Sequence, residues 1–323
     1  MRFILALVGA LFTTFAQVSF VNSEDNWPSR PIRVFTTSSA GGISDTFMRV
    51  LGEELHKRLG QPFVIENHPG GSGNIGARAC AEAMPDGYTI CIINADPMIY
   101  NQFLFKSMPF NPEKGLTPIV NLFHLIQVLV VNSDLKVKTV EELVARSKEK
   151  AGTMSYLTAA VPLAVYMDSL KRDKGADWVR VPFKGGGEAT TAILSGSTPI
   201  GLIGLGNVIT QIQSGSMTPL VLVNNIRTPL LPKTPTLADL GYKGAASQTW
   251  YGLFAPAGTP RSIIVKIASE VLRVFGDKTF VDKYVISRGQ VPAVNTPEEF
   301  AAEIKADREA ARQVVKESGL APQ

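Results

Sequence analysis

The sequence contains few of the residues that carry metal or nucleophilic chemistry. Its 323 residues include three histidines, His56, His68 and His124, which are far apart, and no CxxC or HxxxH spacing. The usual zinc and copper sites are therefore excluded, and we expect no cofactor. A G-x-S-x-G elbow is also lacking, and neither cysteine lies in a polar setting, so no nucleophile can be paired with a base. We predict from these absences that the chain is not an enzyme.

The chain has only two cysteines, Cys80 and Cys91. We expect them on a helix and on the strand that follows it, both in apolar surroundings. Such a pair is compatible with an oxidising compartment, but spacing alone does not show whether the two Cβ atoms come within bonding range. A disulfide and two buried thiols are both open at this point.

Charge is sparse and scattered. Charged residues make up 19% of the chain and hydrophobic residues 45%, which is a globular composition, and the net charge is +4. Lysine and arginine form no basic stripe, so we predict no binding to nucleic acid. The length is sufficient for two domains of ordinary size.

One apolar run stands out, at the N-terminus. Arg2 precedes an uncharged stretch of about 13 residues, Phe3 to Phe15, and small residues follow it. This length is typical of a secretory signal and falls short of the roughly 20 residues of a membrane-spanning helix. We predict a signal peptide over residues 1–23 that is cleaved on export, which makes the mature protein periplasmic. An uncleaved anchor helix is the alternative.

Strand and helix patterns alternate along the rest of the chain, which indicates an α/β fold. The first part predicts a βαβαβ unit with strands over 32–36, 63–65 and 88–93 and helices over 44–59 and 74–84. Apolar residues three or four apart define the buried face of the first helix, and Gly60 ends it. These apolar residues are Phe47, Val50, Leu51, Leu55 and Leu59.

A second domain is predicted to begin at the apolar stretch 126–131, and the chain returns to the first domain at 250–256. Between these points we expect strands over 154–157, 179–182, 200–205 and 220–224 with helices between them. Capping boxes at Thr139–Glu142 and Thr296–Glu299 predict two helix starts. The domains are therefore expected to be residues 27–125 plus 250–323 and residues 126–249, joined by a hinge that the backbone crosses twice.

Three glycine-containing turns carry the candidate chemistry, because each lies at a predicted helix start. They are Ser38–Asp45 after the first strand, Pro69–Gly76 after the second strand, and Lys184–Gly187 in the second domain. Glycine lets the backbone approach a ligand, and a helix N-terminus presents unpaired N–H groups with partial positive charge. The turns predict binding sites for an anion, although the glycines of any single turn are also explained by the need for a tight turn.

The second turn also contains G-x-G-x-x-G, as Gly71, Gly73 and Gly76, in the form of a dinucleotide fingerprint. Asp96 lies 20 residues beyond Gly76, where an acid that binds ribose is expected. An exported protein has little access to NAD, however, and the first βα turn carries a different glycine loop. We therefore do not favour dinucleotide binding.

The chain resembles the extracytoplasmic receptors of tripartite tricarboxylate transporters, the Bug or TctC family. The resemblance rests on ordered blocks over nearly the whole mature chain, among them 27–32, 40–45, 69–76, 85–89, 181–186, 232–237, 250–252 and 255–260. It implies a two-domain, type II-like Venus flytrap that binds a small carboxylate between its domains and delivers it to membrane transporter subunits. A monomer is expected. A receptor that feeds a signalling partner instead is the alternative.

The resemblance also implies which residues hold the ligand. In the first domain these are Ser39, Ala40, Ser44, Asp45, Ser72, Gly73, Asn74 and Asn94. In the second domain these are Thr158, Ala159, Lys184, Gly185, Gly186 and Asn207. For Asp45, stabilising the start of its helix is as good an explanation as facing the ligand.

Three departures from the family pattern bear on the ligand. Thr37–Ser38 replaces the usual Pro-Phe before the first glycine loop, Thr158–Pro162 replaces a glycine- and serine-rich loop, and Pro199 stands where an Asp is usual. A cleft of lower polarity is expected, which suits an aromatic or longer aliphatic carboxylate better than citrate or an amino acid.

Overall fold

Two β-sheets organise the chain, and helices cover both faces of each sheet. The computed structural model describes residues 27–158, 161–181, 186–224, 226–242 and 249–318. The strands are β1 (Ile32–Thr36), β2 (Phe63–Asn67), β3 (Thr89–Asn94), β4 (Leu116–Leu125), β5 (Gln127–Asn132), β6 (Ser155–Thr158), β7 (Val179–Val181), β8 (Ile200–Gly204), β9 (Met217–Leu222), β10 (Trp250–Pro256) and β11 (Gln290–Pro292). The helices are α1 (Ile43–Leu59), α2 (Asn74–Ala81), α3 (Ala95–Ile99), α4 (Asn101–Leu104), α5 (Val140–Glu149), α6 (Val161–Lys174), α7 (Gly186–Leu194), α8 (Ile209–Gln213), α9 (Arg261–Phe275), α10 (Lys278–Tyr284) and α11 (Pro297–Ser318).

The predicted βαβαβ unit is confirmed. Strand β1 pairs in parallel with both β2 and β3, and α1 and α2 make the two crossovers. The complete first sheet has the order β11-β4-β10-β3-β1-β2, in which β10 runs antiparallel to β3 and β4. Because the parallel strands end at one edge, the loops that follow β1, β2 and β3 all meet there.

Helix α1 forms for the reasons that the sequence indicated. Phe47, Leu51 and Leu55 recur every four residues and are almost fully buried against the first sheet. Removal of each such side chain from water contributes about 1.5–3 kcal/mol. Gly60 has the left-handed φ of 77° that ends a helix, and its N–H donates to the carbonyl of His56.

The second sheet has the order β7-β6-β8-β5-β9. Strand β6 is parallel to β7 and β8, and β5 is antiparallel to β8 and β9. The capping box before α5 is confirmed in part, since Thr139 accepts from the N–H of Glu142, whose carboxylate accepts from the N–H of Lys138. The capping box before α11 is reciprocal, between Thr296 and Glu299.

The chain passes between the sheets twice. It leaves the first sheet at Leu125 and enters the second at Gln127, and it returns between Leu222 and Trp250. The α/β class with two sheets is therefore confirmed. The finer domain limits, 27–125 plus 250–323 and 126–249, stay a prediction that is compatible with these crossings.

Some elements were not predicted from the sequence. Strand β4 was missed because Pro118 and polar residues interrupt its apolar pattern, and the β4–β10 pairing is bulged beside Pro118. The short elements α3, α4, α10 and β11 were missed as well. Helix α2 ends at Ala81, three residues before the predicted end, and β2 continues to Asn67.

Cys80 on α2 and Cys91 on β3 form a disulfide, which decides the question that their spacing left open. Both residues are fully buried. The bond ties α2 to the central strand β3 of the first sheet.

The predicted signal peptide lies outside the described residues. Within the described ranges, no helix has both the length and the apolar composition of a membrane span.

Candidate functional site

The first glycine loop connects β1 to α1 at the carboxyl edge of the first sheet. Ser39 and Ala40 are exposed on this loop, whereas Ser44 in the first turn of α1 is fully buried. The Ser44 hydroxyl donates to Ser38 Oγ at 2.7 Å. Gly42 leaves no room for a side chain, since a Cβ there would lie 2.6 Å from the Cβ of Ser38. The loop is therefore folded tightly onto the start of the helix.

Asp45 holds this loop in shape. Its side chain is buried, and its Oδ2 accepts from the N–H of Gly41 at 2.8 Å. Its Oδ1 accepts from Arg49 Nη2 at 2.8 Å and from Asn67 Nδ2 at 3.1 Å. Burial alone opposes ionisation, but these hydrogen bonds outweigh it and hold the pKa of Asp45 below its ordinary value of 3.8. Asp45 is therefore an ionised carboxylate inside the loop.

Asn67, at the end of β2, connects the loop to the neighbouring strand. Besides Asp45, its amide donates to Thr36 Oγ1 and to the carbonyl of Ser38, both at 3.0 Å. Asn67, Thr36 and Ser38 are not among the site residues predicted from the sequence. The position of Asn67 at a strand end, beside a glycine loop, was the signal that could have found it.

The second glycine loop continues from β2 into α2. Gly70, Gly71, Ser72 and Gly73 all have positive φ values, a conformation that favours glycine. A Cβ at Gly73 would lie 2.7 Å from Asn94 Oδ1, so only glycine allows this loop to approach β3 so closely.

Asn74, the first residue of α2, is buried beneath this loop. Its Oδ1 accepts from Asn101 Nδ2 at 2.8 Å, and the same amide donates to the carbonyl of Ser72 at 3.1 Å. Asn74 and Asn101 therefore support the loop from below. The Asn74 side chain is consequently occupied within the protein.

Asn94, at the end of β3, joins the first loop to α3. Its Oδ1 accepts from Thr37 Oγ1 at 3.0 Å, and its Nδ2 donates to Asp96 Oδ2 at 3.0 Å. Asp96 is partly exposed, and Tyr251 on β10 is close enough for the two groups to interact electrostatically. Burial raises the pKa of Tyr251 to about 12, against the effect of its hydrogen bond with Ser38.

The structure therefore brings the predicted residues of the first domain to one edge of the first sheet. Helices α1, α2 and α3 begin at this edge, and none of the three has a hydrogen bond from a side chain at its N-cap. Elsewhere in the described chain, α5 and α10 have such caps, from Thr139 and Asp277, whereas α4, α8 and α9 do not. At α2, the N–H of the first residue, Asn74, donates to the carbonyl of Gly71.

The part of the chain built on the second sheet is called the second unit, and the part built on the first sheet the first unit. In the second unit, Thr158 is buried at the end of β6 and Gly186 begins α7. Ala159, Lys184 and Gly185 lie outside the described residues. Asn207 follows β8, and its Nδ2 donates to the carbonyl of Gly204 at 3.3 Å.

A cavity of about 230 Å³ lies between the two units. Gly41 and Ile43 line it from the first glycine loop, and Asn207 lines it from the second unit. The backbone crossing at Leu125–Ile126, the segments 204–206 and 288–290, Tyr284 and three residues of α1 (Thr46, Phe47 and Val50) form the rest of its wall. The structure thus places Asn207 and the first loop on opposite sides of one cleft. That these residues bind a ligand stays a prediction.

A family model described as the tripartite tricarboxylate transporter family receptor matches residues 47–320. This chain belongs to that family. The resemblance drawn from the sequence blocks is therefore confirmed. The receptor family consists of solute-binding proteins, and the chain has their two-sheet architecture.

Protein BugT of Bordetella pertussis is similar to this receptor, with 29% identity over 98% of this chain and 97% of BugT. The structure of Rpa4515 from R. palustris with adipate has 26% identity and a TM-score of 0.83, covering 92% of this chain and 100% of that chain. MatC from Rhodopseudomonas palustris with bound malate has 27% identity and a TM-score of 0.76, covering 90% of this chain and 100% of that chain. The two-domain periplasmic solute-binding fold is therefore shared over nearly the full length.

Proposed function

We propose that this receptor captures a small mono- or dicarboxylate, with an aliphatic or aromatic body, in the cleft between its two domains. The observation that carries the proposal is the cavity between the two units, which is lined by Gly41 and Ile43 of the first glycine loop on one side and by Asn207 on the other, with Arg288 in its wall. Each charge-assisted hydrogen bond to a ligand carboxylate contributes about 1.5–3 kcal/mol before desolvation is subtracted. Two or three such bonds and a buried ligand body support a micromolar dissociation constant, about −8 kcal/mol.

The relatives support this ligand class, since adipate and malate are both dicarboxylates. We propose that the ligand contacts Ser39, Ala40 and the backbone of the second loop on one side and Asn207 on the other. Asp45 and Asn74 have their side chains engaged within the protein. We assign these two residues to shaping the loops.

We further propose that the protein acts in the periplasm, is not an enzyme and delivers its ligand to the membrane subunits of a tripartite tricarboxylate transporter. Delivery needs a state that the membrane subunits can distinguish from the empty receptor. A ligand that touches both domains favours the closed state by its differential affinity for that state. The hinge would lie at Ile126 and in the segment 223–249, where the backbone passes between the sheets.

The test is a thermal-shift screen of the mature protein with malate, adipate, benzoate, citrate, a sugar and NAD. A ligand at 100 times its dissociation constant adds about 2.7 kcal/mol of stability, which corresponds to several degrees. We expect a carboxylate to give the shift. A shift with the sugar or NAD and with no acid would contradict the proposal.

A pair of serine variants tests the location of the site. Ser44→Ala removes the hydroxyl that fixes the first loop, and we expect the affinity for the best acid to fall about tenfold. Ser133→Ala is the matched control, because Ser133 bonds to Thr218 at the far end of β5, away from the cleft. Equal losses in both variants would show that the cleft has been placed wrongly.

A further inference from the structure

The two units touch each other at a pair of glycines next to the backbone crossing at Ile126. The turn that follows β8 places Gly206 against the turn 286–289, which follows α10 in the first unit. A Cβ on Gly206 would lie 2.3 Å from the carbonyl oxygen of Arg288, and a Cβ on Gly289 would lie 2.8 Å from the backbone nitrogen of Gly206. Neither glycine therefore leaves room for a side chain. We call Gly206, Arg288 and Gly289 the glycine contact.

The backbone of Ile126 joins the crossing to both sides of the glycine contact. Its N–H donates to the carbonyl of Gly289 in the first unit at 3.4 Å, and its carbonyl accepts from the N–H of Leu205 in the second unit at 2.8 Å. Ile126 and Leu205 are fully buried. The crossing strand and the glycine contact consequently form one continuous joint between the units.

Asn224 fastens the crossing through a different set of backbone groups. Its Nδ2 donates to the carbonyl of Leu125 at 2.6 Å, and its Oδ1 accepts from the N–H of Gln127 at 3.2 Å. The N–H of Leu125 also donates to the carbonyl of Thr249 at 2.7 Å. All members of the glycine contact line the cavity between the units, whereas of the described residues neither Asn224 nor Thr249 does. The glycine contact therefore lies on the cleft side of the crossing.

The turn that contains Arg288 is held in place by the first unit. The N–H groups of Arg288 and Gln290 both donate to the carbonyl of Val285, which is fully buried. The Arg288 carbonyl is a backbone group, so it cannot rotate aside as the end of a side chain can. A carbon and an oxygen that are not bonded need about 3.3 Å between them. A methyl group on residue 206 is therefore accommodated by separating the units by about 1 Å at this point.

We propose that the glycine contact limits how closely the two units approach on the cleft side, and that glycine at position 206 is required for full closure on the ligand. The inference rests on the proposed closure of the receptor and adds the point at which closure is limited. A side chain at position 206 acts as a wedge that disfavours the closed state. The apparent affinity for the ligand then falls in proportion to the closed fraction of the receptor.

The test compares Gly206→Ala with the wild type by calorimetric titration of the mature protein with malate, adipate, benzoate and citrate. We expect the dissociation constant of every acid that binds to rise at least about tenfold, which is equivalent to about 1.4 kcal/mol. The factor should be the same for acids of different size and shape, because the cost of closure does not depend on the ligand. Small-angle scattering should show less compaction of the variant than of the wild type when the tightest acid is added.

Gly201→Ala is the matched control. A Cβ on Gly201 would lie 2.3 Å from Ile193 Cδ1, which is the same overlap as at Gly206, but both residues belong to the second unit. This variant overpacks one unit without separating the two. We expect it to lower the midpoint of urea unfolding and to keep the affinities and the compaction of the wild type.

Gly289→Ala adds bulk to the same contact from the first unit, and it decides the matter if Gly206→Ala does not fold. Gly289 has a φ of 69°, so alanine there is also strained by its backbone conformation. Gly60→Ala controls for that strain, since Gly60 has a φ of 77° and a Cβ there would meet no heavy atom within 4 Å. Gly289→Ala should lose affinity for the acids, and Gly60→Ala should not.

Three results would overturn the proposal and leave the carboxylate function standing. The first is that acids bind and compact the wild type while Gly206→Ala and Gly289→Ala bind them as tightly. The second is an equal loss of affinity in Gly201→Ala, and the third is a loss that differs several-fold between acids, which would indicate direct contact with the ligand. If no acid binds the wild type, or if a bound acid leaves its radius unchanged, the proposed capture or its closure is wrong and this inference fails with it.

Discussion

Replacement of Asp45 by Asn should destabilise the protein although it changes only one atom. Asp45 Oδ2 accepts from Gly41 N and Arg49 Nε, and Oδ1 accepts from Arg49 Nη2 and Asn67 Nδ2. Whichever way an Asn amide is turned, its NH₂ faces two donors. Two charge-assisted hydrogen bonds are therefore lost, at about 1.5–3 kcal/mol each. Arg49 is half exposed and can be solvated by water, so we expect a total loss of about 2–4 kcal/mol.

The measurement is urea unfolding of the wild type and of Asp45→Asn, with Asp282→Asn as the control. Asp282 forms an i,i+4 ion pair with Lys278, as Asp45 does with Arg49, but its pair is exposed. The control should lose less than about 0.5 kcal/mol. Similar losses in the two variants would refute the claim that the buried loop network is stabilising.

The pH dependence of Asp45→Asn has a definite sign. The folded-state pKa of Asp45 is below its ordinary value of 3.8, so its carboxylate stabilises the fold above that value. The difference between wild type and Asp45→Asn should be constant from about pH 5 to pH 8. It should shrink as the pH falls below about 4, through the folded-state pKa. A difference that grew towards low pH would contradict the assignment.

Two further predictions concern the second loop and the disulfide. Gly73→Ala should lower carboxylate affinity about tenfold, because the new Cβ would lie 2.7 Å from Asn94 Oδ1. Gly60→Ala is its control, with a similar positive φ but no heavy atom within 4 Å, and it should lose stability without losing affinity. Replacement of Cys80 and Cys91 together by serine should cost about 2–4 kcal/mol in urea unfolding. An unchanged unfolding midpoint would show that the disulfide has no stabilising effect.

Local elements of the first domain could be predicted because their causes are local. The spacing of Phe47, Leu51 and Leu55 defines a helix face, and Gly60 ends the helix whatever surrounds it. The reciprocal box at Thr296–Glu299 likewise sets a helix start within four residues. Strand β4 could not be predicted in this way, because its apolar residues are interrupted. It is a strand because it pairs on both sides, with β10 and with β11.

The candidate site was predictable only in part. The glycine turns of the first domain were predicted to lie at helix starts, and the structure places them at one edge of the first sheet, since glycine and helix-start signals can be read from sequence. From the sequence, Asp96 is only an acid at the spacing of a dinucleotide motif, and Asn67 is not predicted. Their roles depend on contacts with Asn94 and Asp45, and spacing along the chain carries no information about those contacts.

The sequence by itself determined the α/β class, the family, the positions of the glycine loops and most helix limits, because periodicity, turns and caps act within a few residues. Tertiary structure alone decided that Cys80 and Cys91 are bonded, and that Asp45 is enclosed by donors from β2 and the first loop. It also decided that Asp96 accepts a hydrogen bond from the amide of Asn94. These properties depend on contacts between segments that lie far apart in the sequence. Only the packed fold brings those segments together.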